Sequence, residues 1–191
     1  EAFEPFNLGL TMAGAGMLWV GWFGFNAGSA VAADGRAGLA MAVTHIAASA
    51  GAISWMFGEW VLRGRPSLLG LCSGLVAGLV AITPAAGFVT PVSALMIGFI
   101  AGLACYWGAT GLKRLLRADD SLDVFGVHGI GGIVGAIATG IVADPALGGQ
   151  GFFDYTVFPA VPGTYDMTAQ VITQIKAVGV TVIWTGVVSA V

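Results

Sequence analysis

DVFGVHGIGGIVGAIATG, residues 123–140, is the stretch whose reading decides the fold. After Asp123 it is apolar enough to lie in a bilayer, yet it carries a histidine, His128, near its start. An ionisable group inside a membrane span is expensive and marks a candidate functional site by default. Gly126, Gly129, Gly131, Gly132 and Gly135 surround it. Small residues four apart, here Gly131/Gly135 and Ala136/Gly140, let a second helix backbone approach closely. The stretch therefore reads as a glycine-smoothed helix that packs tightly and points one imidazole into a bundle. A buried histidine bonded to a neighbouring carbonyl fits the same residues, and the stretch alone leaves both open.

Composition widens this to the whole chain. Hydrophobic residues make up 57% of it and charged residues only 9%, against about 25% charged in soluble domains. Mean hydropathy is +0.91. These values describe an all-α polytopic membrane protein. Glycine supplies 31 of 191 residues without a collagen period, which in a membrane protein means close helix packing. No basic patch is interleaved with aromatics, so nucleic acid is excluded as a partner. Cys72 and Cys105 lie inside apolar runs, with no CxxC or Cys/His spacing. They read as small packing residues, and no metal or cofactor is expected. The chain starts EAFEPFNLGL, without an initiator Met or a signal-peptide layout. It stops at IWTGVVSAV, inside an apolar run. A piece of a longer protein is expected.

Working outward, a bilayer asks for about 20 apolar residues per helix. Six candidate transmembrane helices appear, near Leu8–Ala30, Gly38–Leu62, Pro66–Thr83, Val92–Leu112, Asp123–Ala143 and Met167–Val191. They form a single membrane domain over 1–191, without an internal repeat. Strands are not expected, because the apolar runs are long and do not alternate. Pro66 is placed to open the third helix, and Asp123 to cap the fifth. Five of the seven basic residues, Arg63, Arg65, Lys113, Arg114 and Arg117, fall in the second–third and fourth–fifth connections. By the positive-inside rule those loops are cytoplasmic. Glu59 and Arg63, one helical turn apart, form a structural pair.

The first helix ends in GWFGFNAGSA, residues 21–30. Trp22, Phe25 and Ser29 stand at i, i+3 and i+7 and share a face, with Ser29 nearest the outer surface. A hydroxyl above stacked aromatics suits a small cation entering a pore, since the oxygen accepts hydrogen bonds and aromatic faces attract cations. An interfacial aromatic belt has the same spacing. His45, in AVTHIAASAG, reads as a packing histidine with a local partner, although a pair with His128 is also open. Asp119, Asp120 and Asp123 sit at the cytoplasmic entrance of the fifth helix, where carboxylates favour the helix dipole. Ser73 and His128 raise an intramembrane serine protease, but GLCSG lacks the tight GxSG turn its nucleophile needs. No catalytic residue is assigned, and the chain is not read as an enzyme.

GWFGFNAGSA (21–30), GEWVLRGRPSLLG (58–70), LKRLLRADDSLDVFGVHGIGGIVG (112–135) and the six-helix spacing resemble the ammonium transporter (Amt/MEP/Rh) family, bacterial Amt branch. The resemblance covers nearly the whole chain. It implies the second half of an eleven-helix fold, helices six to ten and the start of eleven, with the first five helices and the cytoplasmic tail absent. Family members are trimers in the cell (inner or plasma) membrane with one pore per subunit. By this resemblance Ser29 is the recruitment hydroxyl for ammonium, Phe25 one of two gate phenylalanines, and Trp22 a conduit residue beneath the gate. His128 is the second member of a mid-pore histidine pair, and Asp123 is a structural acid at the base of the pore helix. His45 does not match the first histidine, which belongs to the absent half.

The resemblance further implies transport of ammonium/ammonia with the lipid bilayer as surroundings, and a homotrimer. It also implies contact with a PII signalling protein at the basic loop Lys113–Arg117; positive-inside anchoring accounts for that loop equally. Two alternatives stand beside transport. One is an ammonium sensor that couples pore occupancy to a signalling partner. The other is an inactive half-transporter.

Overall fold

A computed structural model describes residues 5–117, 119–149, 153–154, 158–159, 161–162 and 165–190. Its helices are α1 (Leu8–Gly28), α2 (Gly35–Arg63), α3 (Leu68–Ile82), α4 (Pro91–Trp107), α5 (Lys113–Leu116), α6 (Ile130–Val142) and α7 (Met167–Ser189). A wide π segment, Gly108–Leu112, joins α4 to α5, and a second, Phe125–Gly129, leads into α6. The spans are thus Pro91–Leu116 and Phe125–Val142. Phe153–Asp154 and Val161–Pro162 form a two-residue antiparallel ladder, β1–β2, inside the long connection where no strand was expected. The expected helix end at Val191 lies outside the described residues.

Helix starts follow local capping chemistry. Asp34 accepts from the amides of Arg36 and Ala37, so α2 begins at Gly35 and takes in residues expected to be loop. Ser67 caps α3 through the Gly70 amide, leaving Pro66 outside the helix rather than opening it. Thr90 caps α4, and Pro91 takes its first position, where its missing N–H is harmless.

Among the described residues five helices are long and apolar enough to cross a membrane, where six were expected. The difference is α3, which has only 15 residues, about 22 Å at 1.5 Å per residue. It is nonetheless the most enclosed helix, with Gly70, Cys72, Gly74, Leu75, Ala77, Gly78, Leu79, Ala81 and Ile82 all buried. A helix walled in by protein can stop short, because its final carbonyls meet polypeptide rather than lipid. Here the chain turns through Ala85 N–Ile82 O and Phe88 N–Ala85 O, and Asp144 N returns to the Phe88 carbonyl.

The helices stand in two rows. α2 touches α1, α3 and α4; α3 touches α1, α2, α4 and α6; α4 touches α6; and α7 packs on α6. One row is therefore α1–α3–α6 and the other α2–α4. Small residues four apart set the spacing between them. A Cβ on Gly78 of α3 or Gly98 of α4 would strike the Ala47 carbonyl of α2, and one on Gly74 or Gly102 would meet Gly51. Val43, Ala47, Ala81, Ile82, Val89, Ala94 and Ala101 form the core there, each without measurable exposure.

Candidate functional site: an aromatic and histidine face on the α1–α3–α6 row

α3 has one side free of α2 and α4. Ser73, Val76, Val80 and Thr83, at helical spacing, are its half-buried residues there, whereas Cys72, Leu75, Leu79 and Ile82 are buried. Val80 lies against Gly131 of α6. The Trp22 indole donates to the Thr83 hydroxyl at 2.8 Å, and Thr83 donates to the Leu79 carbonyl at 2.8 Å. α1 and α6 thus flank a groove whose floor is α3.

The structure brings Trp22, Phe25 and Ser29 together. Phe25 stands edge-on to Trp22, with ring centroids 5.7 Å apart, and is 62% exposed. Ser29 lies at the C-cap of α1, just past the helix, and donates its hydroxyl proton to the Phe25 carbonyl at 2.6 Å. Its only proton is committed inward, so toward the outside this oxygen acts as an acceptor. One residue between them, Asn26, is buried and donates to the Thr44 hydroxyl of α2 at 3.0 Å; Thr44 in turn donates to the Ala40 carbonyl at 2.6 Å. Thr83, Asn26 and Thr44 had no assigned role in the sequence. An Asn in an apolar helix, four residues after Trp22, was the available signal.

His128 stands apart from that strip, with α3 in contact with both elements. It is exposed rather than buried, and it has no hydrogen bond among the described residues. The carbonyl-bonded buried histidine is therefore not what forms. Its place is on the π segment Phe125–Gly129, whose extra residue turns the following side chains by about 100° relative to a regular helix. Gly126 makes room, since a Cβ there would meet the Ala109 backbone amide at 2.7 Å on the other π segment. The two wide turns pack against each other.

The start of this span is held by Asp120, not by Asp123. Asp120 accepts from the amides of Val124, Phe125 and Gly126 at 2.8, 2.9 and 3.2 Å. Asp123 has a positive φ of 54° and pairs with Lys113 Nζ at 2.9 Å. The capping expectation thus moves three residues upstream, because a left-handed Asp123 turns its side chain toward α5.

Other candidates lie apart from this strip, and His45 is among the exposed residues of α2. His45 stacks on Trp19 at 5.0 Å and lies 6.1 Å from the Phe23 ring, so its local partners are aromatic. Glu59 is 4% exposed and binds the Ser67 amide and hydroxyl, both at 2.8 Å, with Arg63 3.6 Å away. It fastens the end of α2 to the cap of α3. Cys72 and Cys105 are free and buried, the latter beside the Val127 carbonyl at 3.5 Å. Ser73 makes no hydrogen bond with His128 among the described residues. No group of three metal-ligating residues occurs among the described residues.

This architecture defines a multi-pass membrane protein whose one open helix row carries aromatic, hydroxyl and imidazole groups. The profile of the Ammonium Transporter Family matches residues 1–191, and the chain belongs to that family. An ammonium transporter of Aquifex aeolicus is 47% identical over 188 residues, covering 98% of this chain and 42% of the relative. One of Bacillus subtilis is 50% identical over 150 residues, covering 78% of this chain and 37% of its own. The crystal structure of Saccharomyces cerevisiae Mep2 superposes with a TM-score of 0.82 at 38% identity, over 95% of this chain and 42% of that one. A structure named Sensor Amt Protein gives 0.82 at 31% identity, over 94% and 41%. The chain therefore spans about two fifths of the length of the relatives it matches.

Proposed function

We propose that the full-length protein containing this chain carries ammonium/ammonia across the cell membrane, through a pore of which this chain supplies the α1–α3–α6 wall. In this reading the chain corresponds to helices six to ten and the start of eleven. Ser29 recruits the ion, Phe25 gates, Trp22 lines the passage beneath, and His128 serves a mid-pore relay. Asp123 is structural, through Lys113.

The observation that carries the reading is the state of the Ser29 hydroxyl. Its proton is spent on the Phe25 carbonyl, so the oxygen offers lone pairs outward, one helical turn from the exposed Phe25 side chain. Ammonium has only donors and a positive charge, which an acceptor above an aromatic face suits. Moving the intact ion through a low-dielectric passage would cost several kcal/mol. At the outer mouth the ion gives its proton to water, which removes that penalty; the histidines relay that proton, and neutral ammonia passes between them while they hydrogen-bond it. K⁺ has no proton to give up and is excluded on the same ground.

His128→Ala in the full-length protein should lower ammonium uptake and current at least about tenfold, a barrier change of about 1.4 kcal/mol. Unchanged uptake and current would sink the relay. Ser29→Ala should weaken apparent ammonium affinity about fivefold, the worth of one hydrogen bond of about 1 kcal/mol, with a smaller effect on the maximal rate.

The proposal includes a homotrimer in the cell membrane and a PII contact at the basic loop Lys113–Arg117. A second reading, an ammonium sensor, is favoured by the 31% identity to the Sensor Amt Protein structure. Uptake without any downstream response decides for transport. The isolated chain, with one wall of the conduit, conducts nothing in either reading.

A further inference from the structure

His128 has no hydrogen bond of its own among the described residues, so the direction of its imidazole is set by the backbone that carries it. That backbone is the π turn Phe125–Gly129, a conformation that is rare and occurs mostly as single turns at functional sites. Both ends of the turn are fixed. Upstream, Asp123 is tied to Lys113 of α5 at 2.9 Å. Downstream, Gly135 presses α6 onto the Ala81 carbonyl of α3. Closing the turn to a regular helix would rotate one end against the other by about 100°. The extra residue is therefore taken up between them, beside His128.

Two contacts from the α4–α5 span hold the turn itself. Cys105, without measurable exposure, donates its thiol proton to the Val127 carbonyl at 3.5 Å. That carbonyl and the His128 nitrogen belong to one planar peptide unit, so the thiol fixes the plane from which His128 projects. The same sulfur lies where a Cβ on Gly131 would approach to 3.2 Å, so it also spaces the first turn of α6. Next to it a Cβ on Gly126 would meet the Ala109 amide at 2.7 Å, and one on Gly108 would meet the Gly126 carbonyl at 2.9 Å. Val127 is buried beside Cys105 and Ala109, and the following residue, His128, is left exposed.

We propose that Cys105 and Gly126 are positioning residues for His128. They hold the wide turn, and the turn aims the imidazole. The proposal rests on the reading of His128 as the mid-pore relay. A relay needs its imidazole in one orientation, because hydrogen bonds weaken steeply as they bend. A cysteine that only fills space predicts something different: serine, smaller and more polar, would be no better there than alanine. A positioning thiol predicts that serine, which keeps a donor at the same place, restores what alanine loses.

The test is solid-state NMR of the full-length protein in phospholipid vesicles, labelled at histidine with the heavy nitrogen isotope. The His128 imidazole signals are those that vanish in His128→Ala. Cys105→Ala should split or broaden them while the other histidine signals stay in place, and Cys105→Ser should return them to one set. Gly126→Ala, which pushes the turn off Ala109, should displace them as well, and it stands in if Cys105→Ala does not fold. Gly132→Ala, with nothing within 4 Å of its added Cβ, should leave them unchanged. Ammonium uptake should follow the spectra. Cys105→Ala should lower the maximal rate about threefold, the worth of one weak hydrogen bond, with KM unchanged because Ser29 stands at the end of α1, and Cys105→Ser should recover the rate. The proposal is overturned if either variant, once folded, leaves the His128 signals unchanged. It is also overturned if serine and alanine alter them alike, or if all histidine signals move together. Unchanged uptake in His128→Ala would instead remove the relay reading, while the spectra still decide what holds the imidazole.

Discussion

Asn26 is an amide in a helix that otherwise presents apolar residues, and it is one of only two buried residues of α1. Its hydrogen bond to Thr44 and that of Trp22 to Thr83 tie one turn of α1 to α2 and to α3. Those two tethers fix the rotation of α1 and hence the direction of the Trp22–Phe25–Ser29 strip. Hydrogen bonds between membrane helices average about 0.6 kcal/mol in double-mutant cycles, with a maximum of about 1.7 kcal/mol. The Asn26→Ala, Thr44→Val cycle in the full-length protein should accordingly return a coupling of about 0.6–1.7 kcal/mol by reversible denaturant unfolding. A coupling near zero would mean that the bond is not holding α1. The strip itself was readable from i, i+3, i+7 spacing. Its tethers were not, because Thr44 and Thr83 lie on other helices, and the spacing between Asn26 and Thr44 says nothing about which faces meet.

Elements show the same division. The apolar runs gave each helix its place, and Gly131/Gly135 gave close packing for α6. A Cβ on Gly135 would strike the Ala81 carbonyl of α3, while Gly132, three residues earlier, has nothing within 4 Å. Gly135→Ala should therefore destabilise by about 1–3 kcal/mol, the usual penalty of overpacking. Gly132→Ala should be neutral or slightly stabilising, since alanine is the better helix former. Equal effects at both positions would refute the assigned faces, and thermal unfolding of the two variants side by side decides it. At the head of the same span, Asp120→Ala removes a carboxylate that serves three amides and should cost about 0.5–2 kcal/mol, more than Asp123→Ala, whose partly exposed ion pair is worth about 0–1 kcal/mol. The ranking of the two carboxylates was not legible. Each precedes the same apolar run, and only the left-handed backbone at Asp123 separates their roles. Nor were the π segments, which arise where Gly108 and Gly126 let two backbones meet. The packing of α7 rests on a comparable long-range contact, the Tyr165 hydroxyl donating to the Gly140 carbonyl at 2.7 Å, where burial pushes the phenol above its usual pKa.

At the scale of the whole molecule, the two rows differ in what surrounds them. The outer side of α4 shows a continuous apolar stripe, Leu95, Met96, Phe99, Ile100, Leu103 and Trp107, each between 39% and 55% exposed. Hydrocarbon suits the aliphatic and phenyl groups of such a stripe. The groove over α3 is different, because it gathers Ser73, Thr83 and the indole of Trp22, with Ser29 exposed at the end of α1 and His128 exposed on the segment before α6. Polar groups of this kind do not face lipid; they face protein or a water-lined passage. The chain spans 42% of its Aquifex relative, and under the transport proposal the remainder of the full-length protein is the cover for this groove. A substitution that fills the groove should therefore block assembly with those segments, and one of similar bulk on the α4 stripe should not. Val80→Trp and Phe99→Trp make that comparison when this chain and the complementary remainder of the protein are expressed as separate polypeptides. The unaltered chain and Phe99→Trp are expected to co-purify with the remainder and restore ammonium uptake. Val80→Trp should insert in the membrane but neither co-purify nor restore uptake. If Phe99→Trp alone fails, the α4 stripe is the contact surface, and the groove over α3 faces something other than the rest of its own protein.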